Sequence, residues 1–175
     1  ELQKLNEELK ALYEEAKSSS LHDPLTGLSN RRLLEIQLEK GFEHAKRYGQ
    51  PLSIIMLDID HFKKYNDTHG HVEGDRMLVN LAIILLKVMR AADHVFRYGG
   101  EEFLIMLSQT NLTTACLIAE RLRKAVESGT EVTISLGVSS HHESLHDKET
   151  MIKMADNALY QAKQNGRNRV EASSF

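Results

Sequence analysis

Val95-Phe-Arg-Tyr-Gly-Gly-Glu-Glu-Phe-Leu-Ile-Met-Leu107 holds two apolar runs, Val95 to Arg97 and Phe103 to Leu107, on either side of Tyr98-Gly-Gly-Glu-Glu. Apolar runs parted by glycine read as a β-hairpin that turns at the glycines. Outward from this hairpin the chain alternates between helix-like and strand-like segments. Upstream, a long helix is predicted from about Asp75 to Met89, with Gly70 and Gly74 as breaks before it. A short helix near Phe62 to Thr68 and an Ile- and Leu-rich strand, Leu52 to Leu57, precede those. Before the strand, Asn30 is placed to cap a helix from Arg31 to about Tyr48, after a turn-rich Asp23-Pro-Leu-Thr-Gly-Leu start. Downstream, the pattern predicts a helix at Thr113 to Glu127, a strand at Val132 to Val138 and a helix at Glu149 to Gln164, with Gly166 as its stop. Strands separated by helices, with one hairpin among them, predict an α/β (α+β sandwich) fold with a mixed central sheet flanked by helices.

The first 20 residues differ from the rest. Leu2, Leu5, Leu9, Leu12 and Ala16 repeat at alternating spacings of three and four, with Glu and Lys between them, which is the seam of a coiled coil. A solvated amphipathic helix resting on its own domain is the competing reading. Little apolar surface lies beyond the seam, so residues 1–20 are read as a helical coiled-coil linker and 21–175 as the functional domain. The chain begins at Glu1 rather than Met and is expected to be a piece of a longer protein, with an upstream sensor domain missing.

Composition narrows the function classes. A net charge of -3 gives no basic field for nucleic acid. A single cysteine, Cys116, excludes an internal disulfide framework and a multi-cysteine metal site; in its apolar context it reads as a buried, inert thiol. The longest nearly uncharged apolar run, Met77 to Leu86, is about ten residues, too short to span a bilayer. The cytoplasm is the expected compartment. Nine histidines are present, but no pair lies on a helix at ligand spacing, so no zinc is assigned.

Two segments carry the chemistry. In Leu57-Asp-Ile-Asp-His-Phe-Lys63, two carboxylates stand at the end of an apolar strand, where α/β folds bind ligands. Close carboxylates repel unless a proton or cation lies between them, and the N–H groups of the following helix favour phosphate. Asp58 is assigned to metal and Asp60 is expected near the helix cap. In the hairpin turn, Gly99 and Gly100 let the backbone approach a bulky ligand, and Glu101 and Glu102 follow at once.

Gly99-Gly-Glu-Glu-Phe103 resembles the signature of the GGDEF family, the diguanylate cyclases, in its GGEEF form. Further matches lie in order along the chain: Asp23-Pro-Leu-Thr-Gly-Leu-Ser-Asn-Arg31, Asp58-Ile-Asp-His-Phe-Lys63, Asn66-Asp-Thr-His-Gly-His-Val-Glu-Gly-Asp75 and Ala162-Lys-Gln-Asn-Gly-Arg-Asn168. The resemblance covers about Leu21 to Val170 and implies a palm-like fold, as in nucleotidyl cyclases. It implies condensation of two GTP into cyclic di-GMP with release of pyrophosphate, using Mg²⁺ or Mn²⁺.

Residue by residue, it implies Asp58, the Ile59 carbonyl and Glu101 as metal ligands, with Glu101 and Glu102 catalytic. His61, Phe62 and Lys63 would cradle phosphates through their backbone, although His61 stands where many members carry an aromatic residue. Lys163 and Arg167 match phosphate-binding positions; both also suit a helix C-terminus, where positive charge is favoured. Asn66 and Asp75 match the guanine-selecting positions, and capping around Gly70 and Gly74 is the plainer role for them. Arg90-Ala-Ala-Asp93, with His94 to Tyr98 between it and Gly99, matches the family's RxxD inhibitory product site, against a helix-end ion pair. The family works as a homodimer, here through the N-terminal helix and product-bridged contacts. No nucleic acid and no membrane contact is implied for this chain. A catalytically silent module that binds GTP or cyclic di-GMP is the alternative.

Overall fold

The computed structural model describes residues 1–174, apart from the side chains of residues 17–19. In chain order the elements are α1 (Leu2–Ser19), β1 (Ser29–Asn30), α2 (Arg31–Tyr48), β2 (Leu52–Ile59), α3 (Phe62–His69), α4 (His71–Val88), β3 (His94–Arg97), β4 (Glu102–Ser108), α5 (Leu112–Gly129), β5 (Ile134–Ser140), α6 (Lys148–Gln164) and β6 (Val170–Ala172). They form one six-stranded sheet in the order β1-β3-β4-β2-β5-β6. The sheet is mixed: β2 runs antiparallel to both β4 and β5, while the outer pairs β1–β3 and β5–β6 are parallel.

Period-2 alternation along β2 divides the core. Ile55, Leu57 and Ile59 join the cluster under α3, α4 and α5, whereas Ile54 and Met56 join the one under α2 and α6. Phe42, Phe96 and Phe103 are fully buried, each contributing on the order of 1.5–3 kcal/mol through burial. In α2, Leu34, Leu38, Phe42 and Ala45 form the buried stripe, Asn30 caps the start by accepting from the Leu33 N–H at 3.1 Å, and Gly49 ends it in the left-handed region. Gly137 lets α6 lie directly on β5: a Cβ there would come within 2.2 Å of the Leu159 backbone nitrogen. This contact fixes the side of the sheet from which Lys163 reaches the end of β2.

Several boundaries differ from the sequence reading. Strand β2 runs on through Asp58 to Ile59, and β5 begins at Ile134 rather than Val132. Helix α4 begins at His71, so Asp75 lies inside the helix and does not open it. Gly70, at φ +88°, is the break between α3 and α4. Gly74 is helical, and its missing side chain makes room for Asn66, whose Oδ1 lies 1.7 Å from where a Cβ would be. Asp60 does not cap α3. His61 occupies the cap position in the left-handed region, with no side-chain cap bond. The short edge strands β1 and β6 were not expected. Helix α1 leaves Leu2, Leu5, Leu9 and Leu12 between 63% and 83% exposed, consistent with a coiled-coil segment. Among the described residues no helix is long and apolar enough to cross a membrane.

Candidate active site

The site gathers where β2 ends and the β3–β4 hairpin turns. Antiparallel pairing sets Asp58 opposite Glu102, and the Ile59 N–H reaches the Glu101 carbonyl at 3.4 Å. The turn is closed by the Tyr98 and Gly99 N–H groups, which both donate to the Glu102 carbonyl at 2.8 and 3.1 Å. Gly99 leaves room for the Glu102 carboxylate: a Cβ there would stand 2.8 Å from Glu102 Oε2 and push that side chain aside. Arg97 braces the turn from outside. Its guanidinium donates to the Gly100 carbonyl at 2.8 and 3.2 Å and to both Asp23 carboxylate oxygens at 3.0 Å. Burial pushes the Asp23 carboxyl up, but hydrogen bonds from Thr26 and Arg97 outweigh it and hold the group below its ordinary value.

Asp58 is buried, and Lys163 of α6 donates to its Oδ2. Its Oδ1 is buried with no partner. Burial raises the Asp58 pKa, Lys163 opposes that, and the charge of Asp60 raises it further. Glu101 and Glu102 are raised too, first by burial and then by the charge of Asp58; Asp156 adds to the effect on Glu102. Three acidic groups, Asp58, Glu101 and Glu102, thus share the charge of one lysine, Lys163. Among the described residues no three His, Cys, Asp or Glu side chains converge as metal ligands do, and Lys163 supplies a counter-charge beside Asp58. An orphaned buried oxygen and mutually raised carboxylates are the surroundings that a divalent cation relieves, so these residues fit one.

The phosphate-loop residues flank this cluster. His61 is left-handed at φ +54°, Phe62 is buried as the anchor, and Lys63 is exposed. With no side chain capping α3, its first N–H groups are available to an anion. Arg167 lies in the loop after α6, exposed, with its guanidinium in no hydrogen bond or ion pair among the described residues.

The sequence profile described as "Diguanylate cyclase, GGDEF domain" matches residues 20–169. The chain belongs to the GGDEF family. It is 40% identical over 172 residues to the diguanylate cyclase DosC of Escherichia coli K12, covering 93% of this chain and 37% of DosC. To the response regulator PleD of Caulobacter vibrioides it is 44% identical over 158 residues, covering 85% of this chain and 35% of PleD. It therefore spans little more than a third of these relatives. The coiled coil and GGDEF domain of DgcB from Caulobacter crescentus, solved with c-di-GMP, superimposes with a TM-score of 0.93 at 28% identity, over 98% of this chain and 95% of that one. The active GGEEF domain of a diguanylate cyclase from Vibrio cholerae gives 0.80 at 40% identity, over 85% and 99%.

Two further groups of GGDEF-matching residues sit away from the carboxylates. Asn66 lies on α3 against Gly74 of α4, and Asp75 is the next residue along α4. The Asn66 Oδ1 is buried without a partner, and exposed Asp75 lines a cavity of about 360 Å³ with Leu25, Val72 and Val79. Arg90 and Asp93 lie at the opposite end of the hairpin, a seven-residue strand or roughly 20 Å away. Arg90 donates to Asp93 through its backbone at 3.1 Å and its Nε at 3.3 Å, and to Thr110 Oγ1 at 3.3 Å. This GGDEF chain also uses residues to which the sequence reading gave no role. Asp23 and Arg97 brace the turn, and Arg31 lies 4.5 Å over the Tyr98 ring and lowers the Glu102 pKa. Asp23 and Arg31 bound the Asp23-Pro-Leu-Thr-Gly-Leu-Ser-Asn-Arg31 motif and Arg97 lies in the hairpin segment, which was the available signal.

Proposed function

We propose that this chain condenses two GTP molecules into cyclic di-GMP and pyrophosphate, in the cytoplasm. The observation that carries the reading is the acidic cluster of Asp58, Glu101 and Glu102, with an unpartnered buried oxygen, beside the uncapped start of α3 and Lys163. Asp58, Glu101 and the Ile59 carbonyl would hold Mg²⁺ or Mn²⁺. When bound, the cation neutralises triphosphate charge and lowers the pKa of the attacking 3′-hydroxyl.

The chain's own groups do the rest. The N–H groups of His61, Phe62 and Lys63 bind β- and γ-phosphates, and Lys163 and Arg167 close on them from the α6 side. Glu102, with its raised pKa, is suited to take up a proton at the reacting centre. Gly99 and Gly100 leave the turn without side chains against the ligand. The Asp75 carboxylate accepts from guanine N1–H and the 2-amino group, with Asn66 beside it; adenine lacks both donors.

One site holds one GTP, so two copies act face to face. Residues 1–20 serve as the pairing linker, through the exposed leucines of α1, and 21–175 as the cyclase domain, downstream of a sensor. Cyclic di-GMP inhibits by binding Arg90 and Asp93, bridging domains in an unproductive arrangement. The test is incubation with GTP and Mg²⁺ and chromatography of the products, beside Glu101→Gln. Cyclic di-GMP from the wild type alone supports the reading. GTP bound without product, at high protein concentration, favours a silent binding module.

A further inference from the structure

The loop after α6 carries Arg167 on a backbone that L-residues avoid. Gly166, Arg167 and Asn168 have φ of +114°, +62° and +45° in succession. Glycine takes such angles freely, whereas for Arg and Asn each costs roughly 1 kcal/mol or more and persists only where neighbours over-determine it. Those neighbours are identifiable. The Arg167 N–H closes back on the Ala162 carbonyl at 2.9 Å. Asn168 is held on three sides. Its backbone N–H donates to Asp60 Oδ2 at 3.0 Å, its Oδ1 accepts from Arg123 Nη1 at 2.8 Å, and its Nδ2 donates to Glu127 Oε1 at 2.7 Å. Arg123 is itself fixed on α5 by Glu120 and Glu127, each at 2.8 Å.

Asp60 is the other anchor. It is 6% exposed, yet every partner is neutral: Thr133 Oγ1 donates at 2.7 Å, Ser135 Oγ at 2.6 Å and the Asn168 N–H at 3.0 Å. A buried carboxylate without a cation is costly unless its oxygens are fully answered, and these are. Its own N–H donates to the Thr133 carbonyl at 2.9 Å, and His61 follows at once as the start of α3. One side chain therefore ties the β2–α3 turn to the loop that presents Arg167.

We propose that Asp60 is a positioning residue that contacts neither nucleotide nor metal. It fixes the Arg167 loop relative to the first N–H groups of α3, so that two anion-binding elements face one triphosphate. The inference rests on the GTP reading above and deepens it. A carboxylate is required because only it offers acceptor oxygens to all three donors; an amide at this place keeps one oxygen.

The test is calorimetric titration of the whole chain with a non-hydrolysable GTP analogue and Mg²⁺, in the wild type, Asp60→Asn, Arg167→Ala and the double variant. Asp60→Asn is expected to lower affinity about tenfold, the loss of one charge-assisted bond. On top of Arg167→Ala it should add less than about twofold, because the two act as one unit. Asn168→Gly relaxes the backbone but removes the clamps to Arg123 and Glu127. It should cost about threefold, and it serves if Asp60→Asn fails to fold. Equal losses from Asp60→Asn in both backgrounds, or unchanged affinity in both Asp60→Asn and Asn168→Gly, would overturn the inference. Turnover is read separately: an analogue that binds without GTP being converted removes the condensation reading and leaves the positioning role measurable.

Discussion

Asp58 and Asp60 are two residues apart and equally buried, at 6% exposed, but their surroundings are opposite. Asp60 receives three hydrogen bonds from neutral donors and needs nothing further. Asp58 has Lys163 on one oxygen, none on the other, and two raised glutamates nearby. Asp60 is satisfied from within the fold, whereas Asp58 is left short of partners. The same strand end thus carries one acid whose oxygens are answered within the protein and one whose pKa is pushed up by burial and by the charge of its neighbour.

The largest effect expected is at the ligand side. Glu101→Gln should cut cyclic di-GMP formation by at least about 100-fold, as loss of a metal ligand does, while the melting temperature stays or rises. A fall in melting temperature would place Glu101 with Asp60 instead. Next, Asp60→Ala strands three buried donors and should lower unfolding free energy in urea by about 3 kcal/mol, against less than about 1 kcal/mol for Asp58→Asn. Equal losses would erase the contrast.

The pH dependence sharpens it further. Burial and the charge of Asp58 raise Glu101 and Glu102, so the acid limb of kcat/KM should lie above the ordinary glutamate value of about 4.3, and excess Mg²⁺ should move it down. Because the folded pKa values exceed the unfolded ones, these two groups favour the fold at low pH, and that contribution is lost as pH rises through the folded values. Asp23, held low, does the reverse: its contribution is present above its unfolded pKa and lost as pH falls through the folded one. An acid limb at the ordinary value would contradict the crowding of the cluster. The smallest effect on the reaction itself is expected at Arg90. Arg90→Ala should leave the initial rate within about twofold and weaken inhibition by added cyclic di-GMP at least about tenfold, in line with loss of a bidentate charged contact.

Local signals made much of this legible. Asn30 before an apolar stripe gave the start of α2, and apolar runs parted by two glycines gave the hairpin. That Asp58 and the Glu101-Glu102 turn come together was approachable because Asp58 ends one apolar strand and the two glutamates precede another. What could not be read depended on distant partners. Gly74 looked like a break, but its role is to admit Asn66 from the preceding helix. Asp60 looked like a cap, but its donors lie 73, 75 and 108 residues away. Strands β1 and β6 have two and three residues, too few for any periodicity, and are defined only by their pairing with the distant β3 and β5. Lys163 read as a phosphate ligand, and its bond to Asp58 depends on how Gly137 seats α6 on the sheet.

The most direct measurement is kcat at saturating GTP and Mg²⁺ for Asp58→Asn beside Asp60→Asn. The expected result is no detectable cyclic di-GMP from Asp58→Asn, and near wild-type kcat with a raised KM from Asp60→Asn. Sustained turnover by Asp58→Asn, or abolished kcat in a folded Asp60→Asn, would contradict the division between a ligand-binding and a fold-bearing carboxylate.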